Sequence, residues 1–345
     1  MIMRKILYID YVQQKGHVNF HQIHINSLKN AGYDVKLILH NDIAKQLSYS
    51  KKDYVLTLPS FLNQRDNCPV LNRIIFIFTL IYIKRCVKLK SYDNVIIACL
   101  DEITLGLFPL QKNMNIICHG NADNFRNPVK RFFLKKLSRK NSFIVFNERM
   151  ARPFKEHFID RVYIVSHGCP HPFIPANVEL PINIYKFKKI IFHPSTKISD
   201  EFLHQYVGDS RLSAFLKKNN ALLLLRNQQE GIHETKNIQF ISQYLTQEQY
   251  QQLFFRADLI LLAYPPSFGY QVSGVSFECL ANQKNLLVLQ HPSLQYCHKY
   301  YNYDPIFCNF DEFCDKLQNL FDDKGYKCTV SLNQLSPDYT LILNS

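Results

Sequence analysis

The first half of the chain alternates short apolar runs with longer stretches in which apolar residues recur at helical spacing. Runs of strand length lie at 4–10, 34–40, 93–100, 115–120, 142–148 and 161–168. Stretches of helical spacing lie at 18–30, 69–90, 127–140 and 149–159. Gly32 follows the first of these helices and suits a left-handed C-cap. Short apolar strands between amphipathic helices predict a parallel sheet with helices on both faces.

The second half repeats this alternation after a proline-rich segment. Strand-like runs lie at 188–195, 221–228, 237–242, 258–265, 285–290 and 305–309. Helices are predicted at 246–257, with Thr246 as N-cap, and at about 311–321. Four prolines at 170, 172, 175 and 181 precede these elements, and such a density ends both helices and strands. The predicted fold class is therefore α/β, with two doubly wound Rossmann-like domains that face each other across a cleft.

This interpretation divides the chain at the prolines. The first domain is predicted at 1–170, a linker at 171–187 and the second domain at 188–330. The remaining residues, 331–345, form a C-terminal tail that could return to the first domain.

Composition narrows the class of protein. Hydrophobic residues make up 47% of the 345 residues and charged residues 20%, which is a globular composition and not a disordered one. The most apolar segment, 74–83, has ten residues, whereas a membrane-spanning helix needs about 20. The ten cysteines are scattered without a CxxC pair, so we expect reduced, buried thiols in the cytoplasm, with neither disulfides nor a metal site.

The positive charge is concentrated in the first half. Residues 1–175 contain 26 Lys and Arg against 12 Asp and Glu, and residues 176–345 contain 15 against 16. The excess is greatest in 129–140. This imbalance indicates a polyanionic partner, either anionic lipid headgroups or nucleic acid. Because the basic half has no recognisable nucleic-acid-binding motif or stacked aromatic platform, we expect an anionic membrane surface and no nucleic acid.

Polar residues follow several of the predicted strands. In open parallel sheets ligands bind at the carboxyl ends of the strands, so these turns are the candidate sites. In the first domain they contain Gly16, His17, His119 and Asp123. In the second domain they contain Ser195, Lys197, Arg226, Tyr264 and the segment from there to Gly274.

The most informative of these segments is YQVSGVSFECLANQKNLLVL, residues 270–289. Ser273 is predicted to cap a helix, with its hydroxyl and the amides of Gly274 and Val275 pointing outward. A helix N-terminus with a small residue is suited to a diphosphate. Glu278 lies one turn deeper on the same face, where its carboxylate could accept two ribose hydroxyls. The alternative is an ordinary helix start with a solvated Glu278, although the apolar neighbours of that residue argue against it.

The segment 245–289 resembles the donor half of GT-B glycosyltransferases, in which aDv.l.Py is followed by SGv..eAla. The matching residues here are Ala257-Asp258, Ala263-Tyr264-Pro265, Ser273-Gly274-Val275 and Glu278-Cys279-Leu280-Ala281. The segment 16–38 is similar to the family's opening helix and second strand, and 167–173 to the segment before its linker. Tyr270 occupies the position where retaining members of the family often carry a second Glu. Gly16 is a single glycine where the family has a pair of glycines.

The resemblance implies roles for the candidate residues. Glu278 would hold the ribose of a nucleotide sugar, and Ser273 and Gly274, with Val275 beside them, would face its phosphates or sugar. His119 would lie beside the sugar and the acceptor, with Asp123 as a weaker companion. Arg226 and Lys197 are candidates for stabilising the departing diphosphate, as in members of this fold that use no metal. The alternative for these two cations is an ordinary surface position.

Three histidines near the start of the chain have helical spacing. His17, His21 and His24 share one flank of the predicted helix 18–30, an arrangement that could suggest zinc. Apolar residues lie on the same face, so we interpret them as core histidines and predict no metal. His17, at the start of the helix, is kept as a possible acceptor-side base, which an inverting transfer would need.

Taken together, these features predict a cytoplasmic glycosyltransferase that is peripheral at the inner face of the cell membrane. The second domain would bind a nucleotide sugar, and the basic first domain would receive a glycan or lipid-linked acceptor. No metal or other cofactor is expected. Two alternatives remain open: a sugar-nucleotide epimerase or hydrolase of the same fold, and a non-catalytic scaffold protein.

Overall fold

The structure is a computed structural model that describes residues 3–13, 17–64, 68–175, 177–226, 234–322, 328–329 and 335–343. Contacts between Cα atoms divide the chain into two compact units. The first, here called the N-terminal unit, contains Met1–Pro170 and Leu335–Ser345. The second, the C-terminal unit, contains His171–Gln334.

The N-terminal unit is built on a seven-stranded parallel sheet in the order β3-β2-β1-β4-β5-β6-β7. Its strands are β1 (Lys5–Asp10), β2 (Asp34–His40), β3 (Tyr54–Leu58), β4 (Asn94–Cys99), β5 (Met114–Ile117), β6 (Ser142–Val145) and β7 (Val162–Ile164). The strand order reverses beside β1, which pairs with β2 on one side and β4 on the other. In such sheets this reversal is where the carboxyl ends of adjacent strands leave room for a ligand.

Helices connect these strands. They are α1 (Val18–Asn30), α2 (Asn41–Ala44), α3 (Pro69–Cys86), α4 (Glu102–Leu107), α5 (Pro128–Ser138) and α6 (Glu148–Glu156). The first, α1, has the predicted bounds and is followed by Gly32 at φ 86°, the left-handed conformation expected for a C-cap.

The C-terminal unit has a six-stranded parallel sheet in the order β10-β9-β8-β11-β12-β13. Its strands are β8 (Lys189–His193), β9 (Ala221–Arg226), β10 (Ile238–Ile241), β11 (Leu259–Leu262), β12 (Asn285–Leu289) and β13 (Ile306–Phe307). Its helices are α7 (Asp200–Phe202), which continues as the π-helical turn Leu203–Val207, α8 (Ser210–Lys218), α9 (Gln247–Arg256), α10 (Gly274–Ala281) and α11 (Phe310–Phe321). Phe202, Leu223 and Phe313 are fully buried in the core on one face of this sheet.

The described residues of the C-terminal tail pack against the N-terminal unit. They end in a short helix, α12 (Thr340–Leu343). The hydroxyl of Ser166 donates to the carbonyl of Leu335 at 2.6 Å, and Arg4 donates to the carbonyl of Leu343 at 2.5 Å.

Several strands are shorter than predicted because the polar residue after the strand caps the next helix. Asn147 was predicted to lie in a strand, but its side chain accepts the N–H of Met150 and begins α6. Asn309 likewise accepts the N–H of Glu312 and begins α11. A side-chain oxygen at the N-cap satisfies a backbone donor that has no partner within the helix, so the strand ends where the cap is needed.

The elements that were not predicted from the sequence include β3 and α4. The edge strand β3 has alternating burial, with Val55 exposed, and therefore lacks the continuous apolar run of the central strands. The six-residue helix α4 begins where Asp101 accepts the N–H of Thr104, and it is too short to show a helical period. The predicted helix at 69–90 ends earlier, at Cys86, because the buried Val87 adopts an extended conformation.

The cap at α11 gives a test of these boundaries. We expect Asn309→Ala to lower the free energy of unfolding by about 1 kcal/mol, because the N–H of Glu312 loses its acceptor. Asp315→Ala, an exposed change inside the same helix, is the matched control and should cause no loss. Urea denaturation of the full chain measures both, and equal stability of Asn309→Ala and wild type would contradict the assigned cap.

Candidate functional site

Three adjacent strands of the N-terminal unit end in groups that can do chemistry. Asp10 ends β1, Cys99 ends β4, and His119 lies two residues after β5. Because β1 pairs with β4 and β4 with β5, these residues share one edge of the sheet. His17, at the start of α1, joins them.

Asp10 is held by a dense set of contacts. It is fully buried, and its Oδ2 lies 3.1 Å from Nε2 of His21. Its Oδ1 accepts the backbone N–H groups of Val12 and Gln13, each at 2.9 Å. Burial alone would raise the pKa of Asp10, but the neighbouring His21 and these two amides outweigh it and lower the pKa. Asp10 is therefore a buried carboxylate that stays ionised at neutral pH.

His17 and His119 lie together at the same edge. Their ring centroids are 4.8 Å apart, and Nδ1 of His17 is 3.9 Å from the sulfur of Cys99. His17 is the N-cap of α1 and has a φ of 56°, an uncommon conformation for a residue with a side chain. Nε2 of His119 is 3.1 Å from the carbonyl of Ala98, so this nitrogen donates and the lone pair lies on Nδ1.

Both rings are neutral at physiological pH. Burial lowers the pKa of His17, with Asp10 opposing it, and burial lowers the pKa of His119 well below its usual range. The two histidines remain half-buried and not sealed in the core. Neutral imidazoles at this edge can each accept a proton or offer a lone pair.

The other two histidines of α1 are structural, as predicted. His21 is fully buried, and its Nδ1 lies 3.0 Å from the hydroxyl of Tyr8. His24 is fully buried between the hydroxyl of Tyr339, at 2.5 Å, and the carbonyl of His167, at 3.1 Å. Each ring thus has polar partners inside the unit.

The turn after His119 is anchored by a residue that the sequence did not single out. Asn121 donates to the carboxylate of the buried Glu102 at 2.6 Å. Asp123 lies half-buried in this turn, and its role stays a prediction. Gly16, the remaining predicted residue of the N-terminal unit, lies outside the described residues.

In the C-terminal unit, the predicted residues again follow neighbouring strands. Strand β8 lies between β9 and β11. Ser195 and Lys197 come after β8, and Ser195 Oγ accepts the backbone N–H of Lys197 at 3.1 Å. Arg226 ends β9, and Tyr264 comes two residues after β11. The Lys197 side chain is exposed, with Nζ 3.4 Å from Gln271.

Ser273 caps α10, but the prediction that its hydroxyl points outward is wrong. Ser273 is buried, and its Oγ accepts the N–H of Ser276 and lies 2.9 Å from the hydroxyl of Tyr264. The Ser273 N–H donates to the hydroxyl of Tyr296 at 3.2 Å. The Ser273 side chain points inward because it satisfies a helix donor, whereas Gly274 is exposed and Val275 is half-buried.

Glu278 is oriented by a half-buried tyrosine. The hydroxyl of Tyr250, on α9, donates to Oε2 of Glu278 at 2.6 Å. Burial and the nearby Glu278 raise the pKa of Tyr250 well above its usual range, so it remains a neutral donor. Glu278 itself is half-buried and lies one turn after Gly274, as the sequence indicated. It is therefore a carboxylate near a helix start that a hydrogen bond holds in place and that is only partly exposed to solvent.

Two buried polar atoms at the ends of β8 and β9 have no hydrogen-bond partner among the described residues. They are Nε of Arg226 and Nε2 of His193. Burial lowers the pKa of Arg226, and burial lowers the pKa of His193 to about 4. Buried polar atoms in proteins are nearly always satisfied, so unpaired ones at the ends of β8 and β9 are consistent with a ligand-binding edge.

Sequence reasoning missed Cys99, Tyr250, Tyr296 and His193. Cys99 and His193 are each the last residue of a strand. Both would have been found if every polar or thiol group at the carboxyl end of a predicted strand had been taken as a candidate. Tyr250 and Tyr296 gave no such signal. They lie on a helix and a 3₁₀ turn and reach the site only through the packing of the unit.

Comparisons with known proteins show the fold. No protein-family model matches the sequence, and no curated protein matches it. Solved structures match it over nearly its whole length. Trehalose-6-phosphate synthase (OtsA) has a TM-score of 0.57 and 12% identity, with 99% of this chain and 94% of that chain covered. UDP-N-acetylglucosamine 2-epimerase from Rickettsia bellii has a TM-score of 0.55 and 13% identity, with 99% and 95% covered.

A glycosyltransferase from Rickettsia africae has a TM-score of 0.52 and 14% identity, with 99% of this chain and 96% of that chain covered. At such identities the likeness is one of fold. It confirms the predicted fold class, two Rossmann-like α/β domains of the GT-B type, which occur in transferases and epimerases alike.

The buried Asp10 gives a test of the N-terminal site. A hydrogen bond to a charged group contributes about 1.5–3 kcal/mol, and Asp10 accepts several, so we expect Asp10→Asn to lower the free energy of unfolding by about 3 kcal/mol at pH 7. The folded pKa of Asp10 is lowered, so its stabilisation is present above the pKa of an unfolded Asp, about 3.9, and is lost as pH falls through the folded value. The difference from wild type should therefore shrink only below about pH 4.

Urea denaturation at a series of pH values measures this difference. The exposed Asp160→Asn is the control and should match wild type throughout. A deficit for Asp10→Asn that is independent of pH down to pH 2 would contradict the assigned ionisation.

Proposed function

We propose that the protein is a glycosyltransferase that moves a hexose-type sugar from a nucleotide-sugar donor to an acceptor hydroxyl. The observation that carries this proposal is the pairing of Glu278 with the start of α10. The carboxylate is fixed by Tyr250 and lies one turn beyond the exposed Gly274. This arrangement is suited to a nucleotide, with backbone amides for the diphosphate and a carboxylate for the ribose hydroxyls.

The diphosphate end of the donor would lie at the start of α10. The amides of Gly274 and Val275 and the positive end of the helix dipole favour a negative charge there. Lys197 and Arg226 supply cations from the ends of β8 and β9. Helix dipoles and cations can stabilise the departing nucleoside diphosphate, so the proposed transfer uses no metal. Ser195 and Tyr264, at the same edge, complete the proposed donor site.

The N-terminal unit would receive the acceptor. Its neutral imidazoles, His119 and His17, can take a proton from an attacking hydroxyl, as an inverting transfer requires. Asp123 and Gly16 stay in the proposal as neighbours of these two histidines.

The surface of the N-terminal unit supports a lipid-linked acceptor. Helix α4 packs against both α3 and α5, and exposed apolar side chains occur on all three and the adjoining turn: Phe61, Val70, Leu71, Ile74, Phe78, Leu107, Phe108, Val129 and Phe132. We call this set the apolar helix face. The basic residues Lys130, Arg131, Lys135, Lys136, Arg139 and Lys140 lie on or beside α5.

Apolar and basic residues side by side suit the surface of an anionic membrane, here the inner face of the cell membrane. Among the described residues, no helix is long and apolar enough to span a membrane. The proposed attachment is therefore peripheral and partly electrostatic.

The donor site is tested by Glu278→Gln, which keeps the shape of the side chain and removes its charge. Losing a hydrogen bond to a charged group costs about 1.5–3 kcal/mol, so we expect the affinity for the nucleotide sugar to fall by roughly 10- to 100-fold. A thermal-shift screen of UDP-, GDP- and CMP-sugars identifies the donor, because a ligand that binds only the folded state raises its melting temperature. Titration calorimetry then gives the affinity.

Glu248→Gln, the same change at an exposed position of α9, is the control and should bind like wild type. Wild-type affinity and transfer rate in Glu278→Gln would remove the donor-site argument. Conversion of the donor in the absence of any acceptor would instead show an epimerase or hydrolase, and binding without conversion under any condition would leave a scaffold protein.

Membrane attachment is tested by co-sedimentation with vesicles that contain anionic lipid. We expect binding that weakens as salt rises, because exposed charges are screened. The double variant Lys135→Glu/Lys136→Glu should bind several-fold less tightly, whereas Lys217→Glu/Lys218→Glu, at the end of α8, should not differ from wild type. Binding that ignores salt would contradict the proposal.

A further inference from the structure

Nδ1 of His17, the sulfur of Cys99 and a ring nitrogen of His119 are a set of donor atoms of the kind that binds transition metals. One ligand atom from each residue lies within 4.8 Å of the others. Two imidazoles and a thiolate are borderline-soft ligands, which favour Zn²⁺ over the oxygen-preferring Mg²⁺ and Ca²⁺.

The geometry is close to that of a zinc site. With Zn–N bonds of about 2.1 Å and a Zn–S bond of about 2.3 Å, ligand atoms in a tetrahedral site lie roughly 3.5 Å apart. The 3.9 Å between Nδ1 of His17 and the sulfur of Cys99 is near this value. Small side-chain rotations would close the remaining separations, since none exceeds 4.8 Å.

The surroundings also match what metal-binding histidines need. A histidine that binds a metal through one nitrogen usually donates its other N–H to a carbonyl or carboxylate, which fixes the ring. Nε2 of His119 has such a partner in the carbonyl of Ala98, which leaves the lone pair of this ring on Nδ1. His17 and His119 are half-buried, which leaves a path from solvent, whereas Cys99 is 5% exposed and protected from other reactions.

Contrary to the prediction from the sequence, which gave no metal, we propose that His17, Cys99 and His119 form a Zn²⁺ site with three protein ligands and a fourth position for water. Binding forms bonds from zinc to the thiolate and the two imidazoles, and the thiol proton is released to solvent. If the proposed function is correct, zinc also occupies the lone pairs that the acceptor hydroxyl needs, so the occupied site is an inhibited state. This consequence rests on the proposed function, but zinc binding does not.

The binding is tested with Co²⁺, a coloured substitute for zinc, added to the reduced, chelator-treated full chain. We expect one equivalent to produce a near-ultraviolet charge-transfer band from sulfur to cobalt and strong visible bands of four-coordinate cobalt. Zn²⁺ should bleach both. Cys99→Ser should lose the sulfur band and weaken binding at least 10-fold. Cys118→Ser, which changes a fully buried cysteine just beyond the neighbouring strand β5, should keep the sulfur band and the wild-type affinity.

His17→Asn is a second variant, chosen because Asn tolerates the left-handed backbone that His17 adopts. It should weaken binding at least 10-fold while the sulfur of Cys99 remains. Melting curves without metal show whether each variant is folded. Wild type and Cys118→Ser should gain stability with Zn²⁺, and Cys99→Ser and His17→Asn should gain less. An unchanged sulfur band in Cys99→Ser, or unchanged affinity in a folded His17→Asn, would overturn the site.

Inhibition is measured separately, as the ratio of transfer rates with and without Zn²⁺. This ratio should be well below one for wild type and Cys118→Ser and return to one when a chelator is added. A cobalt spectrum without any transferase activity would refute the proposed function and leave the metal site standing. Transferase activity without a cobalt spectrum would refute the metal site and leave the proposed function standing.

Discussion

The parallel pairing of every strand in both sheets is the constraint on which the rest of the structure depends. The carboxyl ends of parallel strands all lie at the same edge of the sheet, and a crossover connection must link each strand to the next. The central strands are buried on both faces and consist largely of apolar residues. Groups that can do chemistry are thereby confined to the strand ends, and parallel pairing brings the ends together. Asp10, Cys99 and His119 meet in this way in one unit, and Ser195, Arg226 and Tyr264 follow neighbouring strands in the other.

The two units use that edge differently. The N-terminal unit places histidines there in a largely apolar and aromatic setting, in which Phe20 contacts the rings of His17 and His119. Desolvation keeps those rings neutral. The C-terminal unit instead surrounds α10 with tyrosine hydroxyls whose pKa values burial raises, so they stay neutral: Tyr250 donates to Glu278, and Tyr296 accepts the N–H of Ser273. One edge offers lone pairs, and the other holds a carboxylate and a helix start in fixed positions.

Much of the fold could be predicted from the sequence, because the central strands are continuous apolar runs and α1 shows a clear helical period. The edge strand β3 could not be predicted, since its half-exposed residues show neither a continuous apolar run nor a helical period. Asn147 and Asn309 were placed in strands because a helix cap and a strand end look alike until the hydrogen bond is seen. At the site, Glu278 could be found from its spacing after Ser273, whereas Tyr250 could not. The tyrosine reaches Glu278 from 28 residues away in sequence, through packing that no local pattern encodes.

The tail has a consequence for how the protein is made. His24, in the first helix, is bonded to Tyr339, which lies 315 residues later in the chain. Ser27 and Ser166 likewise donate to carbonyls of the tail. A chain synthesised at roughly 5–20 residues per second therefore waits on the order of ten to thirty seconds after the N-terminal sheet emerges before its last piece is available. During that time His24 lacks a partner that it has in the finished fold. The N-terminal unit therefore begins to fold before the C-terminal unit is synthesised, and it is completed only after the C-terminal unit has been synthesised.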